Sequence, residues 1–364
     1  MSRAPVLIMA GGTGGHVFPA LAVARVLRSR SEEIVWLGTR QGIEARIVPA
    51  NGIALETLRV TGLRRKGLLT WLLAPWRIAV AVADAISVLR RRRPKVVLGM
   101  GGFAAGPGGV AAWLLGRPLI IHEQNAIAGL TNRLLARFAR EVLEAFPGSF
   151  SRGGAGRKIR CTGNPVRRDI GALPAPAERH AGRTGPLRLL VLGGSLGAQV
   201  LNDTVPRAIA LMPAARRPEI LHQAGEKTVE LARERYRETD VAVRVEPFIE
   251  DMASAYAWAD VVVCRAGALT IAELAAAGLP AILVPFPGAV DDHQTRNAEH
   301  FVATGAGVLM PQQTLTPERL AAELDLLAAD RSLALRRAEQ ARALARPAAT
   351  EDIADLCQLL GDAA

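Results

Sequence analysis

Two short stretches of this chain have the residue types and spacing to hold a phosphate-bearing ligand. The first is Gly11-Gly-Thr-Gly-Gly-His16, set between the apolar run Val6 to Ala10 and an amphipathic run from Val17 to Arg30. Clustered glycines allow positive φ or close backbone approach, and a helix N-terminus offers N–H groups to an anion. The second stretch, Asp260 to Glu273, reads as a strand, a loop and the first turns of a helix. Backbone N–H groups of Ala268, Leu269, Thr270 and Ile271 are placed there to hold a diphosphate. Glu273, one turn in, can accept both ribose hydroxyls of a nucleotide lying across the helix end, or serve Thr270 as a capping-box partner. Polar groups in Asp291-Asp-His-Gln-Thr-Arg-Asn297 can face the same ligand.

Neither loop is a dinucleotide fingerprint. Val17 stands where a third glycine or alanine is required, and the second strand ends in Leu37-Gly-Thr39 with no acidic residue for an adenosine ribose. No G-x-x-x-x-G-K-[ST] occurs, which excludes a P-loop. No D-x-D occurs either, and no metal or other cofactor is expected.

The elements that must position these loops recur in two halves. Leu189 to Leu192 runs into Gly193-Gly-Ser-Leu-Gly-Ala198, echoing the first strand and its loop. Short apolar strands then alternate with helical patterns: Ile34 to Leu37, Val96 to Leu98 and Pro118 to His122 in the first half, Val243 to Val245, Val261 to Cys264 and Ala281 to Val284 in the second. Continuous apolar strands between helices predict parallel sheets covered on both faces. The fold expected is α/β, two doubly wound Rossmann-like domains with ligands at the carboxyl ends of their strands. The boundary is placed at Gly163-Asn-Pro165, giving domains 1–163 and 164–346 and a last helix in 347–364 that returns to the first domain.

Composition narrows the function classes. With 364 residues, half of them hydrophobic, a sizeable core is available. Cys161, Cys264 and Cys357 are far apart and odd in number, which fits neither a disulfide framework nor a zinc site. The glycine loop comes too early for a secretory h-region to precede it. The uncharged run Val96 to Gly116 is broken by seven glycine or proline residues in its middle, so it reads as strand, turn and short helix rather than a membrane span. The net charge of +11 is almost all arginine, with only Lys66, Lys95, Lys158 and Lys227 as lysines. Aromatic residues make up 4%, too few stacking platforms for single-stranded nucleic acid. Nucleic acid is therefore not an expected partner.

Taken in order, several segments resemble one family. They are Ala10-Gly-Gly-Thr-Gly-Gly-His-Val-Phe-Pro19, Leu98-Gly-Met-Gly-Gly-Phe103 with Gly106-Pro-Gly-Gly109, His122-Glu-Gln-Asn125 with Ile127 to Asn132, Gly163-Asn-Pro-Val-Arg167, Gly193-Gly-Ser195, Ala255 to Asp260, Arg265 to Glu273 and Asp291 to Asn297. Nearly the whole chain is similar to the MurG family of bacterial peptidoglycan N-acetylglucosaminyltransferases, glycosyltransferase family 28. The resemblance implies the GT-B fold, two such domains facing across a cleft, and an inverting transfer of N-acetylglucosamine from UDP-N-acetylglucosamine to the C4 hydroxyl of the muramyl sugar of lipid I. It carries donor contacts to Thr13, Gly14, Gly15, Asn125, Arg167, Ser195, Ile249, Ala268, Leu269, Thr270, Ile271, Ala272, Glu273 and Gln294. Leu196 stands where glutamine is common and Ala266 where serine is frequent, so two side-chain contacts to the donor are lost.

Such a reaction needs a base for the acceptor proton. His16 is the first candidate, since an imidazole titrates near neutrality; capping its helix, or only hydrogen-bonding the acceptor, is the alternative. His122 and Glu123 are the others, each as base or positioning group, with a buried, hydrogen-bonded structural histidine as the favoured reading of His122. Charge on the departing UDP would be met by Arg167 and a helix N-terminus. A lipid acceptor implies work at the cytoplasmic face of the inner membrane, with an anionic surface and other cell-wall synthesis proteins as partners. Leu63, Arg64, Arg65, Lys66, Leu68, Leu69, Trp71, Leu72 and Trp76 mix basic and apolar residues as an interfacial docking patch does. Two rivals are another UDP-sugar enzyme of this fold, a diacylglycerol glycosyltransferase or a UDP-N-acetylglucosamine 2-epimerase, and a non-catalytic nucleotide-sugar-binding scaffold. The acceptor-side segment Gly99 to Asn132 disfavours the first, and retention of His16, Arg167, Glu273 and Gln294 disfavours the second.

Overall fold

A computed structural model describes residues 4–59, 74–150, 159–194, 197–237, 239 and 241–363. The chain forms two compact units, residues 1–166 with 346–364, and residues 167–345.

The first unit is built on a seven-stranded sheet of order β3-β2-β1-β4-β5-β6-β7. Its strands are β1 (Val6–Met9), β2 (Ile34–Thr39), β3 (Ala54–Leu58), β4 (Val96–Gly99), β5 (Leu119–Glu123), β6 (Glu141–Glu144) and β7 (Ile159–Cys161). All neighbours pair in parallel. The alternation of side chains along β1 shows why these strands are apolar throughout. Val6 and Ile8 enter a core with helix Gly14–Ser29, while Leu7 and Met9 enter another with helices Ala74–Arg92 and Ala105–Leu114. The first core also takes Ile353, Ala354, Leu356 and Cys357 from the last helix, Ala349–Asp362. That helix is fastened at its rim by Arg30 to Glu351 and Asp355, and by Lys95, whose Nζ lies 2.9 Å from Glu32 and 2.8 Å from Asp362.

The second unit repeats the plan with a six-stranded parallel sheet of order β10-β9-β8-β11-β12-β13. Here β8 is Arg188–Leu192, β9 Glu219–Gln223, β10 Val243–Glu246, β11 Val261–Cys264, β12 Ala281–Leu283 and β13 Gly307–Leu309. Strand order reverses between β1 and β4 in the first unit and between β8 and β11 in the second. In open α/β sheets ligands bind at such switch points, outside the carboxyl ends of the strands. The glycine loop 11–15 follows β1 there, and Gly193 and Gly194 follow β8.

Candidate active site

In the first unit the glycine loop turns into helix Gly14–Ser29 through Thr13, an extended N-cap residue whose side chain makes no cap hydrogen bond. Part of the room its glycines provide is taken inside the protein. Glu44 is fully buried, accepts the Gly12 N–H at 2.9 Å with one carboxylate oxygen, and accepts the Thr39 N–H and hydroxyl at 3.0 and 2.7 Å with the other. A Cβ on Gly11 would collide with that carboxylate. The loop thus rests on an internal carboxyl group, which no local pattern announced.

His16 sits two residues into the helix. Gly101, at φ +98° in the turn after β4, leaves space for its ring: a Cβ there would come within 2.6 Å of His16 Nδ1. That nitrogen lies 3.0 Å from Gln124 Oε1. Gln124 Nε2 in turn lies 3.1 Å from His122 Nδ1, and His122 Nε2 lies 2.9 Å from the Gly163 carbonyl oxygen. His122 has no exposed surface, and burial pushes its imidazole down to about 4, so it stands neutral at physiological pH. Glu123 is also buried. One of its oxygens accepts the N–H and side-chain amide of Asn125, at 3.0 and 3.2 Å, and the other accepts Gly129 N–H and Asn132 Nδ2, at 3.1 and 2.8 Å. Of the two alternatives to His16, His122 is thus enclosed by protein, and Glu123 accepts four donors on its two oxygens. The structure joins the glycine-loop segment to 122–125 through the His16–Gln124 contact.

In the second unit helix Ala268–Ala277 starts on Gly267, with no side-chain cap and no acidic residue in its first turn. Its first intrahelical bond runs from Ile271 N to Gly267 O, so the positive end of the dipole belongs to the backbone of 268–270. Thr270 lies inside the helix, which removes the capping-box role for Glu273. Glu273 instead accepts the buried Tyr256 hydroxyl at 3.0 Å. Loss of solvent pushes its carboxyl up to about 7, against the lowering influence of Tyr256 and of Arg167. Arg167 carries a buried Nε with no hydrogen-bond partner, 3.8 Å from Asp169.

Gln294 accepts the Phe286 N–H at 2.9 Å, and the Arg265 guanidinium lies 5.5 Å from the centre of the Phe286 ring while donating to the Val284 and Pro285 carbonyls. Asn297, fully buried, donates to Ala266 O at 3.2 Å. The 291–297 segment is thereby tied to the loop before Ala268, with Asp291 and Asp292 both at positive φ where it turns into its helix. Ile249 is buried and lines a cavity of 690 Å³ between β10 and helix Met252–Trp258. The helix bordering that cavity also carries Tyr256, whose hydroxyl donates to Glu273. Ser195 lies outside the described residues.

Residues 6–144 match the glycosyltransferase family 28 N-terminal domain, and residues 188–356 match the family 28 C-terminal domain. The chain belongs to glycosyltransferase family 28. Within the family it is 62% identical to the UDP-N-acetylglucosamine–N-acetylmuramyl-(pentapeptide) pyrophosphoryl-undecaprenol N-acetylglucosamine transferase of Alkalilimnicola ehrlichii, over 97% of this chain and 98% of that one. Identity to the enzyme of the same name from Marinobacter nauticus is 58%, over 98% and 97% of the two chains. Among solved family 28 structures, the crystal structure of Acinetobacter baumannii MurG is 40% identical, with a TM-score of 0.85 over 98% of this chain and all of that one.

Proposed function

We propose that this chain transfers N-acetylglucosamine from UDP-N-acetylglucosamine to the C4 hydroxyl of the muramyl sugar of undecaprenyl-diphosphate-linked N-acetylmuramyl-pentapeptide, turning lipid I into lipid II. Near-full-length identity to transferases named for this reaction carries the reading, and the side-chain chemistry of both units suits it. His16 takes the acceptor proton while the hydroxyl oxygen bonds to the anomeric carbon and the bond to UDP breaks on the opposite side. In the second unit, the first-turn amides of Ala268–Ala277 and the Arg167 guanidinium stabilise the departing diphosphate. Glu273 receives the ribose hydroxyls, and Tyr256 holds its carboxyl in place. The first-unit contacts of Thr13, Gly14, Gly15 and Asn125 bear on the sugar.

Release of UDP by the purified protein should therefore require lipid I, should not be supported by diacylglycerol, and should persist in excess EDTA. Complete loss with EDTA, restored by magnesium or manganese, would overturn leaving-group stabilisation by the helix terminus. Release with diacylglycerol in place of lipid I would overturn the acceptor.

The lipid acceptor calls for peripheral attachment to the cytoplasmic face of the membrane. No helix among the described residues is long and apolar enough to cross one. Of the expected docking residues, Leu63, Arg64, Arg65, Lys66, Leu68, Leu69, Trp71 and Leu72 lie outside the described residues, while Trp76 is 71% exposed. Trp113, Leu114, Leu130, Leu134 and Phe138 are exposed in the same unit, near the exposed Arg137 and Arg140, and the Trp113 and Phe138 rings lie 4.7 Å apart. Apolar side chains with basic neighbours suit an anionic bilayer surface, where each basic residue contributes about 1 kcal/mol. Binding to anionic vesicles should weaken as salt shortens the reach of those charges, and weaken again in Trp113→Ser/Leu130→Ser. Equal binding to neutral vesicles at high salt would contradict the electrostatic part.

A further inference from the structure

Resting on the reading of His16 as the base, we propose that Gln124 is its positioning residue, and that the Gly163 carbonyl, acting through His122 and Gln124, decides which nitrogen of His16 is basic. The assignment follows from hydrogen-bond parity. A carbonyl oxygen can only accept, so the His122 nitrogen 2.9 Å from Gly163 O carries a proton. His122 is neutral, so its Nδ1 is an acceptor, and the Gln124 atom facing it must be the amide nitrogen. That same Gln124 nitrogen also lies 3.2 Å from the His122 carbonyl oxygen, a second acceptor that only a donor can satisfy. With the amide nitrogen so placed, Oε1 faces His16 and accepts from Nδ1–H. His16 is thereby held as the Nδ1–H tautomer, and Nε2 is the nitrogen that receives the proton.

The opposite orientation of the amide would set its oxygen against the His122 lone pair and the His122 carbonyl oxygen. Gln124 is only 2% exposed, so water cannot repair that mismatch, and its own carbonyl is fixed by Asn164 Nδ2 at 3.0 Å. When Nε2 takes the hydroxyl proton, Nδ1–H becomes the donor of a charged imidazolium, and the bond to Oε1 strengthens. Gln124 receives no proton itself. It acts by fixing the tautomer and orientation of the ring, as the third member of a catalytic triad does.

Two measurements test this. Nitrogen-15 spectra of histidine-labelled protein, with His16 assigned by its absence in His16→Ala, should show the Nδ1–H tautomer in the native protein and a shift toward Nε2–H in Gln124→Leu. A native His16 in the Nε2–H form would overturn the proposal whatever the fold of the variant, since the native spectrum stands alone, and so would a folded Gln124→Leu protein in which the His16 tautomer is unmoved. In turnover, Gln124→Leu should lower kcat by roughly ten- to a hundredfold, within the span of coupling energies between neighbouring groups, with donor KM unchanged. It should cost nothing further in a His16→Ala background. Equal losses in both backgrounds would mean that Gln124 acts through some other group. A correct tautomer with normal kcat in both single variants would instead sink the reading of His16 as the base.

Discussion

Glu273→Ala is expected to raise the KM for UDP-N-acetylglucosamine by roughly tenfold to a hundredfold, the effect of losing hydrogen bonds to a charged group worth about 1.5–3 kcal/mol. The change should fall on KM rather than kcat, because the ribose is bound equally before and during transfer. The native enzyme should discriminate against a 2′-deoxyribose donor, and the variant should not. An unchanged preference would return Glu273 to a structural role beside Tyr256. The raised carboxyl, about 7, adds a second signature. Ribose hydroxyls donate to the ionised form, so donor affinity should improve as pH rises through 7 and fall as the carboxyl is protonated below it. Glu273→Ala should abolish this dependence.

Much of this architecture was legible where strands are buried on both faces. Val6 to Met9, Val96 to Gly99 and Val261 to Cys264 are apolar without interruption because each lies inside a covered parallel sheet. The strands missed are those whose residues do not read that way. Ala54–Leu58 and Ile159–Cys161 are edge strands with exposed or half-exposed residues. Glu219–Gln223 carries His222, whose ring nitrogens lie 2.9 Å from the Tyr236 hydroxyl and 3.0 Å from Asn202 Oδ1; a buried polar network of that kind has no periodic signal. The first helix begins at Gly14 rather than Val17, since glycine's poor helix propensity hides the first turn.

The candidate site divides in the same manner. Gly11 to His16 and Arg265 to Glu273 were visible because loop, helix start and functional side chain are consecutive. Gln124, Tyr256 and Glu44 were not, because their meaning comes from partners far along the chain. Gln124 meets His16 across 108 residues, and Glu44 meets Gly12 across 32. The four donors on Glu123 were hidden for the same reason, since Gly129 and Asn132 reach it from beyond the His122 to Asn125 motif.

The most direct test of the account is the pH profile of kcat for the native enzyme and for His16→Ala, measured with saturating donor and lipid I. A general base contributes about 10²–10⁴-fold, so the variant should lose that much kcat. Its donor affinity should barely move, since the second unit supplies the nucleotide contacts. In the native enzyme kcat should fall on the acid side, where a protonated imidazole can no longer accept the hydroxyl proton, and this limb should be absent from the variant's residual activity. A His16→Ala enzyme with near-native kcat and an unchanged acidic limb would contradict the account and leave the glycine loop as a cradle only.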